Sequence, residues 1–182
     1  MLAASAASPI ELAVAMNDAR RPTSITADHV LAEHWAMIGR IARAHERDDD
    51  ARRDLVQDIA LAVVRALPGF RGETDLRVFV ARVAEHRCID HIARAVRRHG
   101  DVAIDTDLPS PARGPDQHAD LGQRVDRLAQ TLQRLPLGLC EAAVLALEGF
   151  EPREVGAVLG LTANTAAQRM KRARDALRTT LD

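Results

Sequence analysis

EPREVGAVLGLTANTAAQRMKRARDALR, residues 151–178, decides how this chain folds. Pro152 suits the first turn of a helix, where its missing N–H costs nothing. Val155, Val158 and Leu159 supply a face to bury. Gly160 stands where the chain must turn sharply, and glycine tolerates a positive φ there. Thr162 is placed to cap a second helix. In that helix Ala166, Met170, Ala173 and Leu177 form one apolar stripe, spaced four, three and four residues apart. The opposite face presents Asn164, Thr165, Gln168, Arg169 and Arg172. This is the pattern of a helix-turn-helix. Asn and Gln can pair with adenine edges, and Arg with guanine. In such a motif the early residues of the second helix enter the major groove and flanking basic residues hold phosphates. The expectation is Asn164, Thr165, Gln168 and Arg169 towards bases, with Lys171, Arg172 and Arg174 towards phosphates and Thr162 at the start of the helix. The plainer alternative is a solvated helix face. Turn glycine, cap and stripe acting together favour DNA.

The rest of the chain has the same helical character. Of 182 residues 47% are hydrophobic, enough for a packed core, and 28% are charged. Aromatics are only 2%, with no Tyr, and Ala, Arg and Leu dominate, so an all-α fold is expected. The net charge of −1 looks wrong for a DNA binder until it is mapped. Residues 71–98 carry seven Arg against four acids, a balance of +3, and residues 168–182 carry five basic residues against two acids, again +3. Residues 101–120 hold five Asp against one Arg, a balance of −4. Two basic blocks are thus separated by an acidic spacer, which also contains Pro109, Pro111, Gly114 and Pro115 and reads as a linker. The expected organisation is an extension over 1–24, a helical domain over 25–99, a linker over 100–120 and a second helical domain over 121–182.

In the first block Thr26 is a plausible N-cap, and Trp35, Ile38, Ile41 and Ala42 recur at helical spacing. The run Asp48-Asp49-Asp50 is expected to break the chain before a helix over about 54–67, with Leu55, Ile59, Val63 and Ala66 as its core stripe. Pro68-Gly69 ends it. A loop over 69–75 leads into a long helix in which Leu76, Val80, Ala84, Cys88, Ile92 and Val96 make an i+4 ridge. Such a ridge drifts around the helix, so a change of packing partner is expected along it. In the second block Leu121, Val125, Leu128, Leu132 and Leu135 make an amphipathic helix ended by Pro136, and another follows over about 139–148.

DLVQDIALAVVRALPGFRGETDLRVFVARVAEHRCIDHIARAVRR, residues 54–98, resembles the second conserved region of extracytoplasmic-function (ECF) sigma factors of bacterial RNA polymerase. The helix-turn-helix resembles their fourth region, in the family's order. The resemblance implies a first domain that docks on the β′ clamp helices and melts the −10 element. It implies a second domain that docks on the β flap and reads the −35 element. Matched residue by residue, Asp54, Gln57, Asp58, Leu61 and Arg65 correspond to the core-binding stretch. Phe70, Arg71, Gly72, Glu73 and Arg77 match the loop and helix start that hold a flipped −10 base. Phe79, Arg82, His86, Arg87, Asp90, Arg94, Arg97 and Arg98 continue that track, since melting requires unstacked bases to be caught and the strand to be followed by basic side chains. The chain departs from the family at Phe79, where Trp is usual, at His86, where Asn is usual, and at Ala166, where a β-branched residue is usual. The implied partners are core polymerase, promoter DNA and an anti-sigma factor.

Other chemistry has little support. His86, Cys88, Asp90 and His91 cluster in sequence, but no HExxH or paired CxxC is present, so no metal or other cofactor is expected. No nucleophile–base pair or phosphate-binding glycine loop points to an enzyme or a small-molecule substrate. Two cysteines and no run approaching about 20 apolar residues fit a reduced, cytoplasmic chain without membrane insertion. A dimeric helix-turn-helix regulator that does not bind polymerase remains the alternative.

Overall fold

The computed structural model describes residues 25–99 and 118–181. Seven α-helices account for nearly all of them: α1 Ala27–His45, α2 Asp49–Ala66, α3 Leu76–His99, α4 His118–Gln133, α5 Leu137–Leu147, α6 Pro152–Leu159 and α7 Ala163–Leu181. A single 3-10 turn, Leu67–Gly69, follows α2. There is no strand among the described residues, and the all-α expectation holds. No described helix is long and apolar enough to cross a membrane. The expected extension over 1–24 and most of the expected linker lie outside the described residues.

Local chemistry explains the helix starts. The Thr26 hydroxyl accepts the His29 N–H at the head of α1. The Asp48 carboxylate accepts from the backbone of Asp50 and Ala51, so the aspartate run does not delay α2 but begins it, five residues earlier than expected. Its first-turn acids favour the positive end of the helix dipole. Asp75 accepts the Arg77 N–H at the start of α3. At α6, Glu151 and Glu154 form a reciprocal capping box. Helix α4 starts at His118, three residues ahead of the block expected from the pattern.

The α1–α3 bundle buries Val30, Ile38, Ile41, Leu55, Ile59, Val63, Val80, Ala84 and Cys88 at no more than 1% exposure. At roughly 25 cal/mol per Å² of apolar surface, fully burying each large aliphatic side chain is worth about 1.5–3 kcal/mol. The α3 ridge behaves as its drift requires: Val80, Ala84 and Cys88 are buried, Ile92 is half-buried, and Val96 is 57% exposed. Two stripe assignments fail. Trp35 is 49% exposed and Val125 48% exposed. Both border the open groove between α1, α2 and α4; their helical phase puts them at the edge of their stripes, where no helix covers them.

The second half does not stand apart from the first. Leu132, Cys140, Leu145, Phe150 and Val155 join the same continuous core as the α1–α3 residues. Polar contacts reinforce the seam. Arg40 of α1 makes a bidentate pair with the Glu148 carboxylate at 2.5 and 2.8 Å. Arg43 meets Asp126 at 2.7 Å, and Gln133 both accepts from Arg47 and donates to the Arg43 carbonyl.

Candidate nucleic-acid and polymerase interface

Three groups of side chains emerge from this frame. The first lies on α2. Asp54, Gln57, Asp58, Leu61 and Arg65 are all exposed and recur at three- and four-residue spacing, so they share one face. Leu61 is 53% exposed, and Val64 beside it is also exposed, giving an apolar centre with a charged rim. Val64 was not anticipated; its place in the apolar run of α2 hid it. Asp58 reaches Arg94 of α3 at 3.6 Å, tying this group to the second.

The second group runs from the loop after the 3-10 turn along α3. Phe70 and Phe79 pack with ring centroids 5.0 Å apart, tilted by 48°. The loop between them exposes Arg71, Gly72 and Glu73, with Gly72 at φ +73°. Arg82, His86, Arg94, Arg97 and Arg98 are exposed along the helix. Arg87 pairs with Asp90 at 3.5 Å, and the Arg94 Nε–H donates to the Asp90 carbonyl. At about 100° per residue, Phe79, Arg82, His86, Ile89, Val96 and Arg97 fall on one side of α3. Ile89 and Val96 are exposed there, so that side carries both apolar and basic groups. Single exposed apolar residues are common on helix surfaces, but here they stand among basic ones, a mixture that an unstacked strand, with bases and phosphates, can use.

Arg77 is the exception in this group. Its guanidinium does not face solvent with the others. It donates to the Glu148 carbonyl and lies over the Phe150 ring, 4.2 Å from the centroid. No local pattern signals this contact, since Glu148 is 71 residues away and Phe150 lies further still.

The third group is the helix-turn-helix. Gly160 closes α6 in the left-handed conformation, φ +67°, as expected. Thr162 accepts the Thr165 N–H at 3.2 Å, and the two hydroxyls are 2.9 Å apart, so Thr165 is held inward by its cap. Ala166 and Ala173 are fully buried, with Met170 and Leu177 half-buried. Asn164, Gln168, Lys171, Arg172 and Arg174 are exposed. Arg169, expected beside them, is only half-exposed and folds over α5: its Nη1 lies 3.0 Å from where a Cβ on Gly138 would stand. There it acts on the buried Glu141 carboxyl, pulling its pKa down against larger effects that raise it. Gly156 was also missed. A Cβ there would sit 2.7 Å from the Leu161 carbonyl oxygen, so only glycine lets α6 pass this close to the turn. A glycine inside a helical pattern was its available signal.

Between the halves lies a buried polar cluster. His45 and Glu85 are hydrogen-bonded at 3.0 Å with side chains at most 2% exposed. Glu85 Oε1 has no hydrogen-bond partner among the described residues. Burial, followed by the Glu85 carboxylate, pushes the Glu141 carboxyl above the usual range. Burial also raises the thiols, Cys88 well above normal and Cys140 to about 12. The His86–His91 cluster is divided: Cys88 points into the core, His91 bonds Glu46 at 2.7 Å, and His86 stays outside near Asp90.

The chain as a whole is similar to known proteins. Residues 31–98 match the family model for Sigma-70 region 2. The RNA polymerase sigma factor CnrH of Cupriavidus metallidurans is 29% identical over 162 residues, covering 84% of this chain and 85% of that protein. The ECF RNA polymerase sigma factor ShbA of Streptomyces griseus is 29% identical over 146 residues, 75% and 76% of the two chains. Among solved structures, CnrH in complex with the cytosolic domain of CnrY aligns with a TM-score of 0.63 at 25% identity, over 86% of this chain and 87% of that one. RpoE of Bartonella quintana, solved with the anti-sigma factor NepR, has the same fold, with a TM-score of 0.63 at 22% identity over 82% and 94%.

Proposed function

As the chain belongs to the ECF sigma factors of bacterial RNA polymerase, we propose that it carries out promoter recognition through the three residue groups described above. The α2 face of Asp54, Gln57, Asp58, Leu61 and Arg65, with Val64 added, docks on the β′ clamp helices. An exposed apolar anchor inside a charged rim is the usual form of an interface hot spot. The α3 side from Phe79 to Arg97, with the Phe70–Glu73 loop, captures the melted −10 strand. Asn164 and Gln168 read the −35 duplex, while Lys171, Arg172 and Arg174 hold its phosphates. The β flap receives the second domain. The observation that carries the reading is the presence of exposed Ile89 and Val96 together with Arg82, His86 and Arg97 on one side of α3.

The domain division follows the same logic. One functional unit spans 25–99 and a second spans 121–182, with the acidic 100–120 stretch between them. The protein acts as a regulatory subunit and not as a catalyst, and works in the cytoplasm, where polymerase is. An anti-sigma factor completes the set of partners; the CnrH relative was solved with a cytosolic domain bound.

Titration of labelled protein with purified core polymerase tests the reading. Wild type should bind tightly and stoichiometrically. Asp58→Arg and Leu61→Ala should each weaken binding by about tenfold or more, the loss expected of a hot-spot residue. Absence of core binding by folded wild type would reject the sigma assignment in favour of a dimeric helix-turn-helix regulator.

A further inference from the structure

The groove bordered by α1, α2 and α4 has a chemistry that the proposed function leaves unused. Trp35, Ala36, Gly39, Val56 and Val125 give it apolar walls, and Trp35 and Val125 are each about half exposed along it. A Cβ on Gly39 would meet nothing within 4 Å, so the backbone of α1 can be approached closely there. Arg40, Arg43, Arg52 and Arg53 also line the groove, and no acid does. Arg53 pairs with Asp50 at 2.6 Å, but the two side chains are 72% and 82% exposed. A pair that exposed holds its cation weakly, so an incoming carboxylate can compete for it. Apolar walls with a cationic rim suit one kind of occupant, an amphipathic helix with acid along its edge.

The chain carries such a stretch just ahead of α1, in residues that lie outside the described structure. Ser8-Pro9-Ile10-Glu11 has the spelling of a capping box with proline in the first turn. In helical phase Ile10, Leu12, Ala13, Val14 and Met16 fall within an arc of about 200°, and Glu11 and Asp18 fall together on the other side. Arg20 and Arg21 suit the negative end of a helix, and Pro22 suits its stop. Five residues, Pro22 to Thr26, then lead into α1, an ordinary length for a connection between antiparallel helices. Run back along α1 at about 1.5 Å per residue, the stretch brings Leu12 and Ala13 level with Ala36 and Trp35, and Glu11 within a turn of Arg40.

We propose that the groove is the docking site of residues 9–21 of the same chain, seated as a helix antiparallel to α1 with Leu12 and Ala13 against Trp35 and Glu11 against the arginine rim. The groove holds about 590 Å³. One helical turn, taken as a cylinder about 10–12 Å across with a 5.4 Å pitch, fills roughly 400–600 Å³, so the inward side of about two turns fits. A short tether also gives the stretch an effective concentration of about millimolar, which a separate partner lacks. Gln57 lines the groove and belongs to the α2 face assigned to the β′ clamp, so a seated helix crowds one edge of that face. That consequence rests on the sigma reading; the docking does not.

Trp35 is the only tryptophan in the chain, so its fluorescence reports the groove without a label. Acrylamide is the quencher, because it is neutral and the arginines do not concentrate it. In the full 182-residue chain, wild-type Trp35 should be shielded at every protein concentration. Leu12→Asp and Glu11→Arg change no described residue, and Leu12→Asp should raise the quenching constant about twofold or more, as expected when an apolar anchor is lost. Glu11→Arg should act in the same direction. Ala15→Glu, on the side away from the groove, should leave quenching unchanged. Equal quenching in wild type and Leu12→Asp would overturn the docking, and a rise in Ala15→Glu as large as in Leu12→Asp would overturn the assigned face. Shielding that grows with wild-type concentration would give the groove to a second copy and overturn docking within one chain. Leu12→Asp should also bind core polymerase about twofold or more tightly than wild type, since a face that is free only part of the time binds in proportion. Unchanged core affinity would overturn the crowding of the α2 face, and no core binding by either protein would reject the sigma reading; in both cases Trp35 still decides the docking.

Discussion

Replacing Gly156 by Ala should damage DNA recognition more than it damages stability. A Cβ at this position would stand 2.7 Å from the Leu161 carbonyl oxygen and 3.4 Å from the Ala163 nitrogen and the Thr162 carbonyl carbon. All three are backbone atoms of the turn that launches α7, and a flexible side chain is not available to move aside. Ordinary carbon–oxygen contacts are about 3.3 Å or longer, so the turn must retreat by roughly half an ångström. Overpacking of this kind costs about 1–3 kcal/mol. Alanine in place of glycine inside α6 returns about 1 kcal/mol in helix propensity. The net destabilisation is then roughly 0–2 kcal/mol, a fall of at most several degrees in midpoint. The start of α7, carrying Asn164 and Gln168, is nevertheless displaced. If the displacement weakens one base contact worth about 1–3 kcal/mol, duplex affinity falls by a factor of roughly 5 to 150. Gly160→Ala is the control. At φ +67° it costs about 1–2 kcal/mol of strain. It meets no atom within 4 Å, so helix packing is kept. The assay pairs thermal denaturation with binding to a duplex selected from a random pool by the wild type, well below both midpoints. Wild-type affinity in Gly156→Ala, or equal losses in the two variants, would refute the argument that close approach at Gly156 sets the recognition helix.

Three further outcomes are expected. Glu141 has its pKa raised by burial and by Glu85, with His45 and Arg169 opposing. Its stabilising contribution is therefore complete below the ordinary carboxyl value and is lost as pH rises through the raised one. Glu141→Gln should match wild type in melting temperature below the ordinary carboxyl pKa and exceed it once the pH has risen past that value; parallel curves would contradict this. Leu145→Ala, at a site with no exposure, should cost about 2–5 kcal/mol and lower the unfolding of both halves together, because Leu145 sits in their common core. Two separate transitions in calorimetry would contradict that. Exchanging Asp101, Asp105, Asp107, Asp116 and Asp120 for Asn should raise the free protein's non-specific DNA affinity at low salt, and unchanged affinity across a salt series would remove any screening role for the spacer.

Helix order and most of the buried face are legible in the amino-acid pattern, because both follow from periodicity and capping. Thr26, Thr162, Gly160 and Pro152 act where their local chemistry requires. Leu55, Ile59, Val63 and Ala166, Ala173 point inward because a helix stripe must be covered. The misreadings fall where local pattern is ambiguous. Asp48 could end one helix or cap the next, and the hydrogen bonds to Asp50 and Ala51 settle it as a cap. Trp35 and Val125 fit their stripes in period, but no neighbouring helix covers them.

An all-α chain with two basic helical blocks, a helix-turn-helix and an acidic spacer follows from sequence, since these features depend on residues within a few turns of one another. Packing of the helices was needed to establish that Arg77 faces Glu148 and Phe150, that Arg169 turns over Gly138 towards Glu141, and that Ile89 and Val96 stay exposed. Arg40 finds Glu148 across 108 residues. Nothing local encodes such a partner: the energy of a long-range contact exists only once packing has brought both side chains to one place.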